Sequence, residues 1–249
     1  MMRGLFIVLE GGEGVGKTTQ WSLLADVLTK HGHDVRALRE PGGTPVGDKL
    51  RAILLDPASE LCAETEALLF SASRAQLVTQ TMRPALEEGA IVLVDRFLLS
   101  TYAYQGAGRG LPMDALRAMS RVATRGLVPD LTLLLQMPVE QAMSRANARG
   151  AADRMERESH AFHARVADAF TEATTVDWQS AHVEVGPVVH VDAHGEPEVV
   201  LRRCLAALAE RWPDRFASIL TSRVVMPKGS FDAIGAMRRS TPVSVSTDD

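Results

Sequence analysis

Cysteine is scarce in this sequence: the only two, Cys62 and Cys204, lie far apart and outside any paired spacing. Neither a disulfide framework nor a cysteine-bound zinc is therefore expected, and both thiols read as buried groups in a reducing compartment. Runs of lysine or arginine are absent and the net charge is −4, which argues against a nucleic-acid partner or an anionic membrane surface. Long apolar runs are missing too. The N-terminal one, residues 5–9, is too short to span a bilayer and has no signal-peptide cleavage region, so a cytoplasmic protein without a membrane partner is expected. Any phosphate binding must then be local.

What is present is the material of a sizeable core: 249 residues, 46% hydrophobic and 23% charged. Short apolar runs alternate with helical patterns, the sequence form of a parallel sheet wrapped by helices. Residues 5–9, 35–38, 91–94, 131–135 and 188–191 read as strands. Trp21, Leu24, Ala25 and Leu28 recur at helical spacing, residues 63–78 read as a helix, and a second helical stretch ends near Gly89. Residues 145–165 read as a helix, a mobile turn and a second helix. After residue 212 the composition turns to Ser, Thr, Pro and Gly with little periodicity. A domain over 1–212 and a tail over 213–249, outside the main fold and of disordered composition, are expected.

Residues 11–18 carry the chemistry. Gly11, Gly12, Glu13, Gly14, Val15, Gly16, Lys17 and Thr18 have the spacing of a P-loop, placed between a buried strand and an amphipathic helix. Glycines let successive backbone N–H groups curl around phosphate oxygens, and the helix N-terminus adds its partial positive charge. Lys17 would reach the β- and γ-phosphates of a nucleotide, and Thr18 would offer its hydroxyl to Mg²⁺. Asp95, at the end of a buried strand, would be the magnesium-orienting carboxylate; alone it reads equally as a turn residue, and the P-loop decides for metal.

Residues 6–20, Arg39 to Thr44, Ser73 to Gln76, Asp95 to Phe97, Ser100 to Gly106 and Arg145 to Ser159 together, in this order, resemble thymidylate kinase in its bacterial form. The resemblance runs from about Phe6 to about Asp192. It implies a P-loop kinase-like three-layer α/β/α fold with a parallel sheet, transfer of phosphate from ATP to dTMP with Mg²⁺, and a homodimer. Gly11 to Thr18, with Thr19, would hold ATP. Arg39 and Arg96 look like clamps on the acceptor phosphate, which suits the planar guanidinium fork. Phe70 would stack on the thymine ring and Arg74 would meet a base carbonyl. Ser100 and Gln105 fall where the family has polar contacts, Tyr104 would exclude ribose, and Glu10 would sit near the sugar 3′-hydroxyl. Glu13 is unfavourable in a phosphate loop unless a cation is near. The resemblance supplies one from a lid over about 145–158, with Arg149 and Arg154 on the transferring phosphate; Lys17 and Arg96 complete the catalytic set. Gln136 departs from the family, which commonly has Asp there. A kinase for another nucleoside monophosphate, and an inactive nucleotide-binding homologue, remain alternatives.

Overall fold

The run LFIVLE is buried at all six positions and forms β1 (Leu5–Glu10), the central strand of a parallel sheet in the computed structural model, which describes residues 3–148 and 153–221. Its neighbours are β3 (Ile91–Asp95) and β4 (Leu131–Gln136); β2 (Val35–Arg39) and β5 (Val188–Asp192) lie at the edges. A strand buried on both faces has no polar side to alternate with, which explains the near-continuous apolar runs of β1, β3 and β4. Successive side chains still divide between two cores. Phe6, Val8, Val92 and Val94 enter one, while Ile7, Leu9, Leu93 and Leu133 enter the other.

In chain order the α-helices among the described residues are α1 (Lys17–Lys30), α2 (Pro45–Leu55), α3 (Ala63–Leu77), α4 (Arg83–Glu87), α5 (Leu98–Thr101), α6 (Met113–Thr124), α7 (Val139–Asn147), α8 (His160–Glu172), α9 (Val176–Ala181), α10 (Pro197–Arg211) and α11 (Pro213–Thr221), with π-helical turns over Val78–Met82 and Tyr102–Gly108 and a 3-10 turn over Val183–Val185. Helices α1, α10 and α11 cover one face of the sheet; α3, α4, α5, α6 and α8 cover the other. The architecture is therefore α/β/α in three layers. Local chemistry fixes the helix starts: Thr44 accepts from Gly47 N–H with Pro45 as the first residue of α2, and Ser159 caps α8 through Phe162 N–H. On α1 the indole of Trp21 donates to the Leu93 carbonyl at 3.0 Å, pinning the helix to the sheet.

The expected boundary at 212 is corrected by α11. That boundary follows composition, but proline is at home in the first turn of a helix, where its missing N–H is not needed, and Pro213 opens α11. Phe216 and Ile219 are both buried, packed into the core that α10 and α1 share. The fold therefore runs at least to 221. The remainder of the expected tail, 222–249, lies outside the described residues. No helix among the described residues is long and apolar enough to cross a membrane.

Candidate active site

The carboxyl ends of β1, β2 and β3 meet at one edge of the sheet, the place where parallel α/β sheets bind ligands. Each delivers a functional segment. β1 leads into residues 11–16 and then α1; β2 ends on Arg39 in register with Asp95; β3 ends on Asp95 and turns at Arg96.

The P-loop has the conformation that its glycines permit. Gly14 has φ 75°, and a Cβ there would lie 1.8 Å from the Ala142 carbonyl oxygen, so α7 and the loop can touch only because this residue is glycine. Lys17, the first residue of α1, folds back so that Nζ donates to the Gly12 carbonyl at 2.6 Å. Burial pushes its ammonium down to about 8, helped by Arg96 and opposed by Glu13 and Asp95. A buried cation with a depressed pKa is a group prepared for an anion. Beside it Thr18 Oγ1 donates to Asp95 Oδ2 at 3.0 Å, while Asp95 Oδ1 is buried without a hydrogen-bond partner among the described residues. Thr19 is half-buried one residue further into α1.

Arg96 ties β3 to the P-loop. Its φ of 72° lies in the left-handed region, which turns the chain sharply after Asp95. Nη1 donates to the Gly11 carbonyl at 3.2 Å and to Ser100 Oγ at 3.1 Å, and Nη2 forms an ion pair with Glu13. The Tyr104 hydroxyl donates to the same Glu13 oxygen at 2.9 Å, and the Tyr104 ring lies under the Arg96 guanidinium at 4.9 Å. The cation that Glu13 requires therefore comes, in this structure, from Arg96. Glu10 is wholly buried, and both its oxygens are engaged. Oε1 accepts from Phe97 N–H and Ser100 N–H at 2.8 and 3.0 Å, and Oε2 accepts from the Ser100 hydroxyl at 2.5 Å. Here it orders the start of α5.

Arg74 is 2% exposed on α3. It donates to Glu40 (2.7 Å), Thr101 Oγ1 (3.0 Å) and the Phe97 carbonyl (3.0 Å), which uses three of the five guanidinium N–H groups. Burial raises the Glu40 carboxyl to about 7 against the pull of Arg74. Phe70, half-buried, stands one turn before Arg74 on the same face of α3. Gln105 donates to Glu66 at 2.9 Å.

Two residues of this region were missed in the sequence. Arg51, on α2, donates to the Pro41 carbonyl at 2.8 Å, and burial followed by repulsion from Arg39 lowers its guanidinium to about 10. Arg39 and Arg51, with Arg96 nearby, thus concentrate positive charge at the ends of β2 and β3. Glu66 is the other. It receives Arg154, to which the resemblance gives a place on the transferring phosphate; in this structure Arg154 donates to Glu66 (2.7 Å) and to the Leu54 carbonyl (2.8 Å). Arg149 lies outside the described residues.

A strand-loop-helix phosphate cradle, with a carboxylate on the neighbouring strand bonded to the Thr18 hydroxyl, defines a nucleotide-binding protein of the P-loop class. The comparisons narrow it further. The model of the thymidylate kinase family matches residues 9–185, and the chain belongs to that family. It is 46% identical over 211 residues to the thymidylate kinase of Deinococcus radiodurans, covering 85% of this chain and 99% of that one. Identity with the thymidylate kinase of Pseudomonas putida is 51% over 170 residues, 68% of this chain and 81% of the relative. The Thermoanaerobacter pseudethanolicus thymidylate kinase is 48% identical over 169 residues, 68% and 83%.

Proposed function

We propose that this protein transfers the γ-phosphate of ATP to dTMP, giving ADP and dTDP in the route to dTTP. The observation that carries the reading is the convergence of the P-loop with Arg39, Arg51 and Arg96 in a chain of the thymidylate kinase family. The loop serves one phosphate group and the arginines a second. Lys17 neutralises the transferring group and the backbone of 11–16 holds the phosphates of ATP, with Thr19 at their margin. Arg39, Arg51 and Arg96 hold the acceptor phosphate, which is itself the nucleophile and needs little base assistance. Phe70 offers a face to the thymine ring and Arg74 has two N–H groups left for its edge. Ser100 and Gln105 support the base side, Tyr104 crowds the sugar 2′ position, and Glu10 holds the loop on which Arg96 and Ser100 stand. Catalysis is positioning and charge neutralisation.

The residues present fit Mg²⁺: the Thr18 hydroxyl and the unpartnered Asp95 Oδ1 are one oxygen ligand and one orienting carboxylate. That is the sparse protein contribution this ion takes when phosphates complete its shell. When bound it would neutralise charge on the β- and γ-phosphate oxygens. The family also implies a homodimer, for which Val46, Ile53, Leu68 and Val122, exposed on the adjoining α2, α3 and α6, supply apolar surface.

Incubation of the purified protein with ATP, Mg²⁺ and dTMP should yield ADP and dTDP in equal amounts by chromatography. ADP without dTDP would contradict the reading. A pH effect follows from Lys17, which is charged below about 8 in the ligand-free protein and neutral above it. Phosphate favours the charged form, so binding at higher pH must take up a proton. ATP affinity should therefore fall as pH rises past that value, by up to about tenfold per pH unit. Titrations between roughly pH 7 and 9.5 check this, and a flat profile would refute the assignment of Lys17 to the phosphates.

A further inference from the structure

Glu66 is a carboxylate with 1% of its side chain exposed, and it accepts hydrogen bonds from three side chains that lie far from it in sequence. Oε1 receives Gln105 Nε2 at 2.9 Å and Arg109 Nε at 3.1 Å; Oε2 receives Arg109 Nη2 at 2.9 Å and Arg154 Nη1 at 2.7 Å. Four bonds fill the acceptor capacity of an ionised carboxylate. Burial alone would raise its pKa, but the bonds from Arg109, Gln105 and Arg154 outweigh burial and hold it below the usual carboxylate range. It stays charged at neutral pH.

The placement of Glu66 says what this junction joins. Glu66, Phe70 and Arg74 stand four residues apart along α3, so they share the face that carries the base-side residues. Gln105 is the neighbour of Tyr104, whose hydroxyl reaches Glu13 in the P-loop. On the other side, Arg154 donates through its backbone N–H to the Leu55 carbonyl and through Nε to the Leu54 carbonyl, at the end of α2. Arg109 adds an ion pair to Glu158 at 2.6 Å and lies over the Phe162 ring at 4.8 Å. The segment from Asp153 to Ser159 is thus fastened to α3 by one direct bond to Glu66 and by one relay through Arg109.

We propose that Glu66 is a positioning residue for the transfer reaction: its carboxylate fixes Gln105 at the acceptor pocket and anchors the segment carrying Arg154 beside it, so that Arg154 acts through this anchor and not on the transferring phosphate. The inference rests on the dTMP kinase reading above. It separates two roles that an arginine in this segment could take. A cation on the transferring phosphate acts on turnover and leaves acceptor binding alone; an anchor for the acceptor pocket acts on both.

The test is steady-state kinetics of the full chain with ATP and dTMP, alongside thermal melting, for the unsubstituted protein, Glu66→Gln, Arg154→Gln and the double variant. Each single variant should raise the KM for dTMP and lower kcat by about tenfold each, with the KM for ATP held within about twofold, since a charge-assisted bond is lost at the acceptor side only. The double variant should be no worse than the more damaged single one, because both substitutions remove the same bond. Should Glu66→Gln fail to fold with two arginines left uncompensated, Arg154→Gln and Gln105→Ala approach the junction from its other ends, and the same rise in the KM for dTMP is expected. A loss in kcat on the order of 10³ in Arg154→Gln, with the KM for dTMP unchanged, would overturn the inference and return Arg154 to the phosphate. Lowered melting temperatures with unchanged kinetic constants would overturn it as well. An unsubstituted protein that does not phosphorylate dTMP would remove the reading itself, a failure visible before any variant is compared.

Discussion

Lys17→Ala should lower turnover by on the order of 10² to 10³ while leaving the melting temperature at or above that of the unsubstituted protein. Two consequences of one location are involved. Lys17 is buried, and burial is what depresses its pKa to about 8, so in the ligand-free protein the charge is held at a cost to the fold. Alanine removes that cost and is a good residue for the first turn of α1. On the reading proposed above, the same charge faces the group that leaves ADP, where water is excluded and an electrostatic contact counts most. The substitution therefore separates activity from stability. Turnover near normal would refute the P-loop assignment, and a large fall in melting temperature would show that the Lys17–Gly12 bond, at 2.6 Å, is structural.

Arg96→Ala should behave differently, losing both activity and stability. Arg96 bonds to Gly11, Ser100 and Glu13 and lies over Tyr104, so its removal leaves Glu13 in the P-loop without that cation and frees the turn between β3 and α5. Truncating one partner of a buried charged pair typically costs about 3–5 kcal/mol of stability; loss of a cation from the acceptor phosphate should separately lower kcat/KM for dTMP on the order of 10² to 10³. Lysine should rescue poorly, because a single ammonium cannot serve Gly11, Ser100 and Glu13 together as a planar fork does. Kinetics and melting of Arg96→Ala and Arg96→Lys check both points. Full activity in Arg96→Lys would mean that charge alone is needed there.

The two predictions also mark what the sequence made legible. Motifs that work through adjacent residues were readable: the glycine spacing of the P-loop, the buried runs of β1, β3 and β4, and Asp95 at a strand end. Elements that rest on weaker local signals were not. Helix α2 begins at Thr44 and Pro45, a good capping pair, yet it is not among the helices read from the sequence. Helix α11 was hidden by the Ser, Thr, Pro and Gly content of the stretch that it opens, and the burial of Phe216 and Ile219 shows that it belongs to the core. Arg51 and Glu66 were missed for a different reason. Glu66 looks like an acidic residue in the first turn of α3, where it would favour the helix dipole. Its three partners lie 39, 43 and 88 residues away, a separation that no local pattern encodes. The bond from Arg154 to Glu66 is equally invisible to a motif, which names the arginine but not its carboxylate partner.

The choice of acceptor is the central claim, and a single assay reaches it: ADP release from ATP by the purified protein, with dTMP, dUMP, UMP, CMP, GMP and AMP supplied in turn at equal concentration. On the reading proposed above, Phe70, Arg74 and Tyr104 act on base and sugar, and a ring packed against the 2′ position would reject ribose by a clash, which discriminates more sharply than a missing methyl can. The account predicts the highest kcat/KM with dTMP and little turnover with the ribonucleotides; faster release with GMP, CMP or AMP than with dTMP would contradict it.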